Sequence, residues 1–395
     1  VNVAADRAVR VLLVVNSLGF GGTERMIERL VLQLERAGQA RFTVCSLAGP
    51  GPIGARLAAA GTAVRAFGIG GGAARQIGLG ALAVRRLLRD GGFDLVHSFL
   101  YRSHAACRLA RLAAGSRVPL VSSERCLGDN RGRVIRALNR ATASWSDRVL
   151  AVSAAVAEAA IRRDGVRPER VAVVPNGIEP EAMEPRRRLR LRRALGIADG
   201  DVLFLYLGRL HREKGPDLLL QALDRLHAVA PRGWAAALVG DGPERNAVEA
   251  ALASRSWRGR AFVAGARGRV GPWLDAADVL VLPSREEGMP VAAIEAMMRG
   301  RPVAGTRVGG TPEVVRDGVT GVLVPPEDPE ALAGALGALL ADPARRVALG
   351  ERAAAAARAG FSVETMAEAT LREYRTLVAP RGQGAARAVA AARVD

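Results

Sequence analysis

The sequence predicts an α/β fold built on doubly wound parallel sheets in more than one domain. Three observations predict it. Short apolar runs of strand length alternate with longer amphipathic stretches along nearly the whole chain, the pattern of a parallel sheet covered on both faces. Several of these runs end in Gly-containing turns that open a helix, as at Gly21-Gly22 and Gly240-Asp241-Gly242. The 395 residues suit two domains, or three, of roughly 150 residues each.

Composition narrows the class. With 49% apolar residues the chain can bury large cores, and its charges are mixed throughout, which excludes wholesale disorder. No stretch approaches the roughly 20 apolar residues of a membrane span. The run Val11 to Val15 is too short for a signal segment and ends in Asn16, so a cytoplasmic location is expected. Cys45, Cys107 and Cys126 are scattered and in no metal-like spacing, which fits a reducing compartment. The net charge of +18 invites a nucleic-acid reading. However, Lys plus Arg total 57 with a single lysine, leaving 56 arginines, a bias that looks like codon preference. Aromatics are only 4%, too few for base-stacking platforms, so no nucleic-acid partner is expected. A basic surface attracts anionic lipid headgroups at about 1 kcal/mol per residue, so peripheral contact with the inner face of the plasma membrane stays open.

Residues 10–16 read as a first buried strand, followed by a turn and a helix with Met26, Ile27, Leu30, Val31 and Leu34 on one face. Gly21 and Gly22 give that turn a phosphate-binding shape. It is no dinucleotide fingerprint, because the third Gly is missing and the next strand, Phe42 to Leu47, ends without a ribose-binding acid. Strand and helix signals then alternate over 62–67, 75–89, 94–98, 102–114, 118–123, 131–146, 148–152, 153–164 and 171–175. His97 and His104 flank one strand-to-helix loop, and Glu124 and Arg125 end the next strand. The following helix sets Arg133, Arg136 and Arg140 beside Val134, Leu138 and Trp145, and reads as an ordinary amphipathic surface helix before a membrane-contacting one. Pro175 to Glu179 marks a domain boundary, and Pro185 to Arg193, with six arginines, reads as a solvated linker.

Val202 to Leu207 opens the second domain, and the loop after it carries Arg209 and Lys214 into a helix. Two cations in a strand-to-helix loop suit a diphosphate leaving group, and the only lysine of the chain stands there. Residues 328–342 and 344–358 read as Ala-rich helices, Phe361 to Leu377 as a last helix, and 379–395 as a frayed tail. The stretch that organises the rest is 283–297. Asp278 to Leu282 is a buried strand before it, and Pro290 suits the first turn of a helix after it. Glu287 is thus placed in a loop at a strand's carboxyl end, and Glu295 in the helix that follows. In open α/β sheets that crevice binds ligands, and a helix N-terminus there offers N–H groups to a phosphate. Carboxylates beside it accept hydrogen bonds from sugar hydroxyls, so the local chemistry is phosphate plus polyol. The plainer reading is a solvated charge and an ordinary turn.

Glu287 and Glu295, with seven residues between them, Gly288 after the first and Ala296-Met297 after the second, resemble the signature of the family 4 glycosyltransferases. Those are retaining, metal-independent enzymes of the GT-B fold. Gly21-Gly22-Thr23-Glu24, Pro175-Asn176-Gly177-Ile178-Glu179 and Gly208-Arg209 with Glu213-Lys214-Gly215 resemble further motifs of that family, in the same order, over nearly the whole chain. The resemblance implies two Rossmann-like domains, 1–180 and 181–378, facing a cleft, with the last helix crossing back to the first domain. It implies a nucleotide-diphosphate sugar as donor on the second domain and a lipid-linked or cell-surface glycan intermediate as acceptor on the first. Glu287 would hold donor hydroxyls, Glu295 the ribose, and Arg209 and Lys214 the diphosphate, with Glu287, Arg209 and Lys214 as the catalytic set. Gly288, Met289 and Val291 would complete the donor loop, Gly21 and Gly22 would face the diphosphate, and the backbone of 262–270 would frame the nucleobase. No metal and no cofactor are expected. The chain departs from the family twice: Pro290 removes a backbone donor near the diphosphate, and Arg125 stands where many members carry a His facing the reacting sugar. His97, His104, Glu124 and Arg125 remain acceptor-side candidates together. Two rival readings are a glycoside hydrolase using Glu287 and Glu295, which leaves the Arg–Lys loop unexplained, and a non-catalytic GT-B scaffold, kept open by Arg125.

Overall fold

The structure is a computed structural model and describes residues 7–19, 21–128, 132–179 and 183–378. The first domain contains β1 (Val9–Val15), β2 (Ala40–Ser46), β3 (Ala63–Ala66), β4 (Leu95–Phe99), β5 (Leu120–Glu124), β6 (Arg148–Ala151) and β7 (Val171–Val173), in the order β3-β2-β1-β4-β5-β6-β7. The second contains β8 (Val202–Leu207), β9 (Trp234–Val239), β10 (Ala261–Gly265), β11 (Val279–Leu282), β12 (Val303–Thr306) and β13 (Gly321–Val324), in the order β10-β9-β8-β11-β12-β13. All pairings between these strands are parallel. Central strands read as unbroken apolar runs because helices cover both faces. Val11, Leu13 and Val15 of β1 enter one core layer and Leu12 and Val14 the other, as the two-residue period of a strand requires. In β8, Leu203 and Leu205 part from Val202, Phe204 and Tyr206 in the same way.

Strand order reverses between β1 and β4 and between β8 and β11, so each sheet has one switch point where the following loops diverge and leave a crevice. The two crevices face each other. The helix Val363–Val378 crosses back and buries Val363, Met366, Leu371 and Tyr374 in the core of the first domain. Gly177 lies against the start of that helix, where a Cβ would overlap the Ser362 carbonyl and the Met366 side chain. Across the seam, Ser153 Oγ donates to the Gly288 carbonyl (2.7 Å), and Glu313 accepts from the backbone N–H groups of Ala154 (2.7 Å) and Ala155 (3.1 Å). Those N–H groups belong to the first turn of the helix Ala154–Asp164 and have no partner within it.

The six-arginine run is not a solvated linker. Pro185–Ala194 is a helix, and Arg188 donates to the carbonyls of Asp275 (3.2 Å), Ala276 (2.8 Å) and Ala277 (2.9 Å). These groups end the short helix Gly271–Ala276 and need donors from outside it. Arg192 is 4% exposed and pairs with Asp278 at 3.0 Å. The helix Gly51–Ala59 is absent from the sequence-based expectations, because its Gly, Pro and Ala content hides the buried Ile53 and Leu57. The helix Arg133–Thr142 is amphipathic as expected, yet what it buries is Asn139 and Thr142, beside the buried Arg108, which donates to Asn139 Oδ1 at 2.7 Å. Among the described residues no helix is long and apolar enough to cross a membrane. The expected boundary at 180/181 and the expected tail at 379–395 lie outside the described residues.

Candidate active site in the interdomain cleft

Loops at the carboxyl ends of β1, β4, β5, β8 and β11 enclose a cavity of about 700 Å³. Gly22, Arg209, Lys214, Glu287, Gly288, Met289 and Val291 line it, with Glu124 and Arg125 from the first domain. Glu287 is 7% exposed. Its Oε1 accepts from Ser284 Oγ at 2.8 Å and pairs with Lys214 Nζ at 2.8 Å. The two loops are fastened together. The N–H of Arg285 donates to the Glu213 carbonyl (2.8 Å), and its guanidinium reaches the Arg212 carbonyl (2.8 Å) and Asp217 (2.7 Å). Gly215 turns at φ 62°, and a Cβ there would overlap the Pro283 carbonyl. Arg209 is more open, its side chain 65% exposed and 3.2 Å from Glu213. Gly288 packs so closely on the Arg125 carbonyl that no side chain fits.

Glu295 lies apart from this group. It lines a second cavity of about 410 Å³ together with Arg25, Arg29, Gly268, Arg269 and Val270. Arg29 bridges Glu295 at 3.6 Å, and Arg25 donates to the Gly268 carbonyl at 3.2 Å, both from the first domain. Burial raises the Glu295 carboxyl above its ordinary value, and Arg29 and Arg25 oppose that rise. The loop expected to frame a nucleobase is therefore beside the carboxylate expected to hold a ribose. The two arginines were not among the expected site residues. They sit four apart on a helix whose polar face carries several charges, and nothing local separates them from the others.

Three expectations are corrected. Gly21 does not line the cavity, and the Glu24 carboxylate folds back on it, occupying the mouth of the helix Gly22–Arg36 that a phosphate would need. His97 is buried between Tyr374 OH (2.6 Å) and Ser123 Oγ (2.8 Å). Burial, aided by Arg125, pushes it down to about 3, so it is neutral and structural. His104 is also buried, 2.9 Å from Ser98 Oγ and 3.7 Å from Glu124. Neither ring lines the cavity, because hydrogen bonds hold both in the interior of the first domain. Arg125 does line it and donates to Asn176 Oδ1. Burial lowers the Arg125 guanidinium to about 10, with Cys126 and Glu24 opposing, so it stays charged at neutral pH. Asn176 was read only as part of a boundary motif, although that motif was the signal for it.

A family model described as "Glycosyltransferase Family 4" matches residues 20–182, and one described as "Glycosyl transferases group 1" matches residues 201–342. The D-inositol 3-phosphate glycosyltransferase of Xylanimonas cellulosilytica is 34% identical over 310 residues, 72% of each chain. That of Kribbella flavida is 34% identical over 241 residues, 58% of this chain and 57% of the relative, so the match spans just over half of that protein. The crystal structure of Anabaena HepE in complex with UDP shares the fold, with a TM-score of 0.81 at 23% identity over 93% of this chain and 100% of the other. The two family descriptions fall on the two domains in turn and one relative spans both, so the chain belongs to the group 1, family 4 glycosyltransferases and is a glycosyltransferase.

Proposed function

We propose that the chain moves a sugar from a nucleotide-diphosphate sugar to an acceptor, with retention of configuration and without a metal ion. The observation that carries this is the Lys214–Glu287 pair, 2.8 Å apart, at the β8/β11 switch point. It sets a cation for a leaving diphosphate beside a carboxylate for sugar hydroxyls, on loops locked to each other. As the bond between the anomeric carbon and the phosphate oxygen breaks, the diphosphate takes the electron pair. Lys214, Arg209 and the N-terminal dipole of the helix Val291–Met298 stabilise the charge that develops. Glu295 holds the ribose once Arg29 moves aside, and Gly268 to Val270 border the base.

For the acceptor, the names of the relatives support an inositol phosphate. A lipid-linked or cell-surface glycan intermediate is the second reading. It is favoured by one surface helix with exposed Arg133, Arg136 and Arg140 beside Val134, which suits an anionic membrane surface on the cytoplasmic side. A hydrolase is disfavoured because Glu287 and Glu295 line different cavities, so no single glycosidic bond lies between them. The test is product formation from uridine, guanosine and adenosine diphosphate sugars with each acceptor class, in excess EDTA, with the product anomer read by NMR. Transfer with the donor's anomeric configuration is expected. Loss of activity in EDTA with rescue by Mn²⁺, or an inverted product, overturns the mechanism.

A further inference from the structure

The cations that line the 700 Å³ cavity are nearly all paired with carboxylates. Lys214 meets Glu287 at 2.8 Å, Arg209 meets Glu213 at 3.2 Å, and Arg163 meets Asp164 at 2.8 Å. Arg125 differs. Among the described residues no carboxylate lies within ion-pair distance of it, and its side-chain hydrogen bond goes to the neutral amide oxygen of Asn176. A guanidinium offers five N–H donors in a planar fork, and Asn176 takes one of them. Glu24, the acid whose charge bears on Arg125, is folded back on Gly21. A half-buried cation without a counter-ion still loses hydration, and a ligand that supplies the anion offsets that loss.

Position says which part of the ligand that is. The Arg125 carbonyl touches Gly288, next to Glu287, so Arg125 bounds the cavity from the first domain where Glu287 bounds it from the second. A sugar whose hydroxyls reach Glu287 lies beside Arg125. The diphosphate already has Lys214, Arg209 and a helix N-terminus, so the group beside Arg125 is the donor sugar or the acceptor, and the contact of Arg125 with Gly288 favours the sugar that Glu287 holds. A carboxylate matches the guanidinium fork with two parallel hydrogen bonds. We propose that Arg125 is a specificity-determining residue that selects a donor whose sugar carries a carboxylate, a hexuronic acid. This rests on the nucleotide-sugar reading above. A neutral hexose leaves the half-buried guanidinium short of an acceptor and is discriminated against.

The experiment compares kcat/KM for UDP-glucuronate with UDP-glucose and for GDP-mannuronate with GDP-mannose, in the wild-type chain, Arg125→His and Arg125→Lys. Melting temperatures and calorimetric affinity for the bare nucleoside diphosphate accompany the kinetics. The wild type should favour the hexuronate of the accepted nucleotide by roughly 10–100-fold. Arg125→His should erase or invert that ratio, and Arg125→Lys should keep part of it. The wild-type ratio decides the matter even where a variant folds poorly. Turnover of neutral donors with no hexuronate preference overturns the inference and leaves glycosyl transfer standing. Equal losses for both donors and for the bare diphosphate would place Arg125 on the phosphates and also overturn it. A preference that follows a phosphate or carboxylate on the acceptor, lost with Arg125→His while the donor ratio stays flat, does the same. No turnover of any nucleotide sugar overturns both readings.

Discussion

Lys214 is the one lysine among 57 basic residues, and it stands 2.8 Å from a buried carboxylate oxygen. A lysine is a compact point charge on a thin stem, whereas arginine is a larger planar fork. Between Glu287 and the left-handed turn at Gly215 the fork would crowd the site and shift the charge. Lys214→Arg should therefore lower kcat on the order of 10²–10³, the usual cost of one preorganised donor to a developing anion. Lys214→Ala should lower it at least as far. Lys214→Arg should melt within a few degrees of wild type, while Lys214→Ala leaves the Glu287 carboxylate without its cation, held by the Ser284 hydroxyl, and should melt lower. Turnover of Lys214→Arg near the wild-type rate would reduce the residue's uniqueness to codon chance.

The arginine-rich helix Pro185–Ala194 shows how one element changes meaning when its neighbours are known. By composition it is a charged stretch for water, but Arg188 and Arg192 bind Asp278 and the last carbonyls of Gly271–Ala276. Their apolar stems cover surface while the guanidinium heads satisfy polar groups that would otherwise lose water unpaired. Arg192→Ala should cost about 2–4 kcal/mol in urea unfolding, since it breaks a buried pair and strands carbonyls. Arg186→Ala, on the exposed face, should stay within about 0.5 kcal/mol. Equal small effects at both positions would restore the linker reading.

At the scale of the whole molecule, the proposed donor site is assembled across the seam. Arg29 of the first domain holds Glu295 of the second, and Arg25 holds the Gly268 carbonyl, so the expected nucleoside end is bridged by both domains. Glu295→Gln keeps the size and exchanges acceptor capacity for a donor. It should weaken nucleoside diphosphate binding roughly 10-fold or more, the worth of a hydrogen bond to a charged group. Unchanged diphosphate affinity in calorimetry would count against a ribose contact. The same variant tests linkage. Burial raises this carboxyl in the folded state, so its stabilising contribution is present below the unfolded value and is lost as pH rises through the folded one. The melting temperature of Glu295→Gln should thus gain on wild type as pH rises above the ordinary glutamate value of about 4.3. A difference that does not move with pH would mean that Arg29 cancels the burial effect.

Period, turn residues and apolar runs are local signals, and they made the alternation of strands and helices and the parallel sheets legible in the chain, whereas the return of the last helix was expected only from the family resemblance. The sequence also marked Glu287, Arg209 and Lys214, whose loops follow directly from strands with a recognisable pattern. The tertiary structure alone decided what those groups meet. It joined Lys214 to Glu287 and Arg29 to Glu295, took Gly21, His97 and His104 out of the cavity, and left Arg125 there beside a neutral amide. Each of these outcomes depends on the packing of segments far apart in the chain, and charge or spacing along one segment carries no information about the partner that folding brings to it.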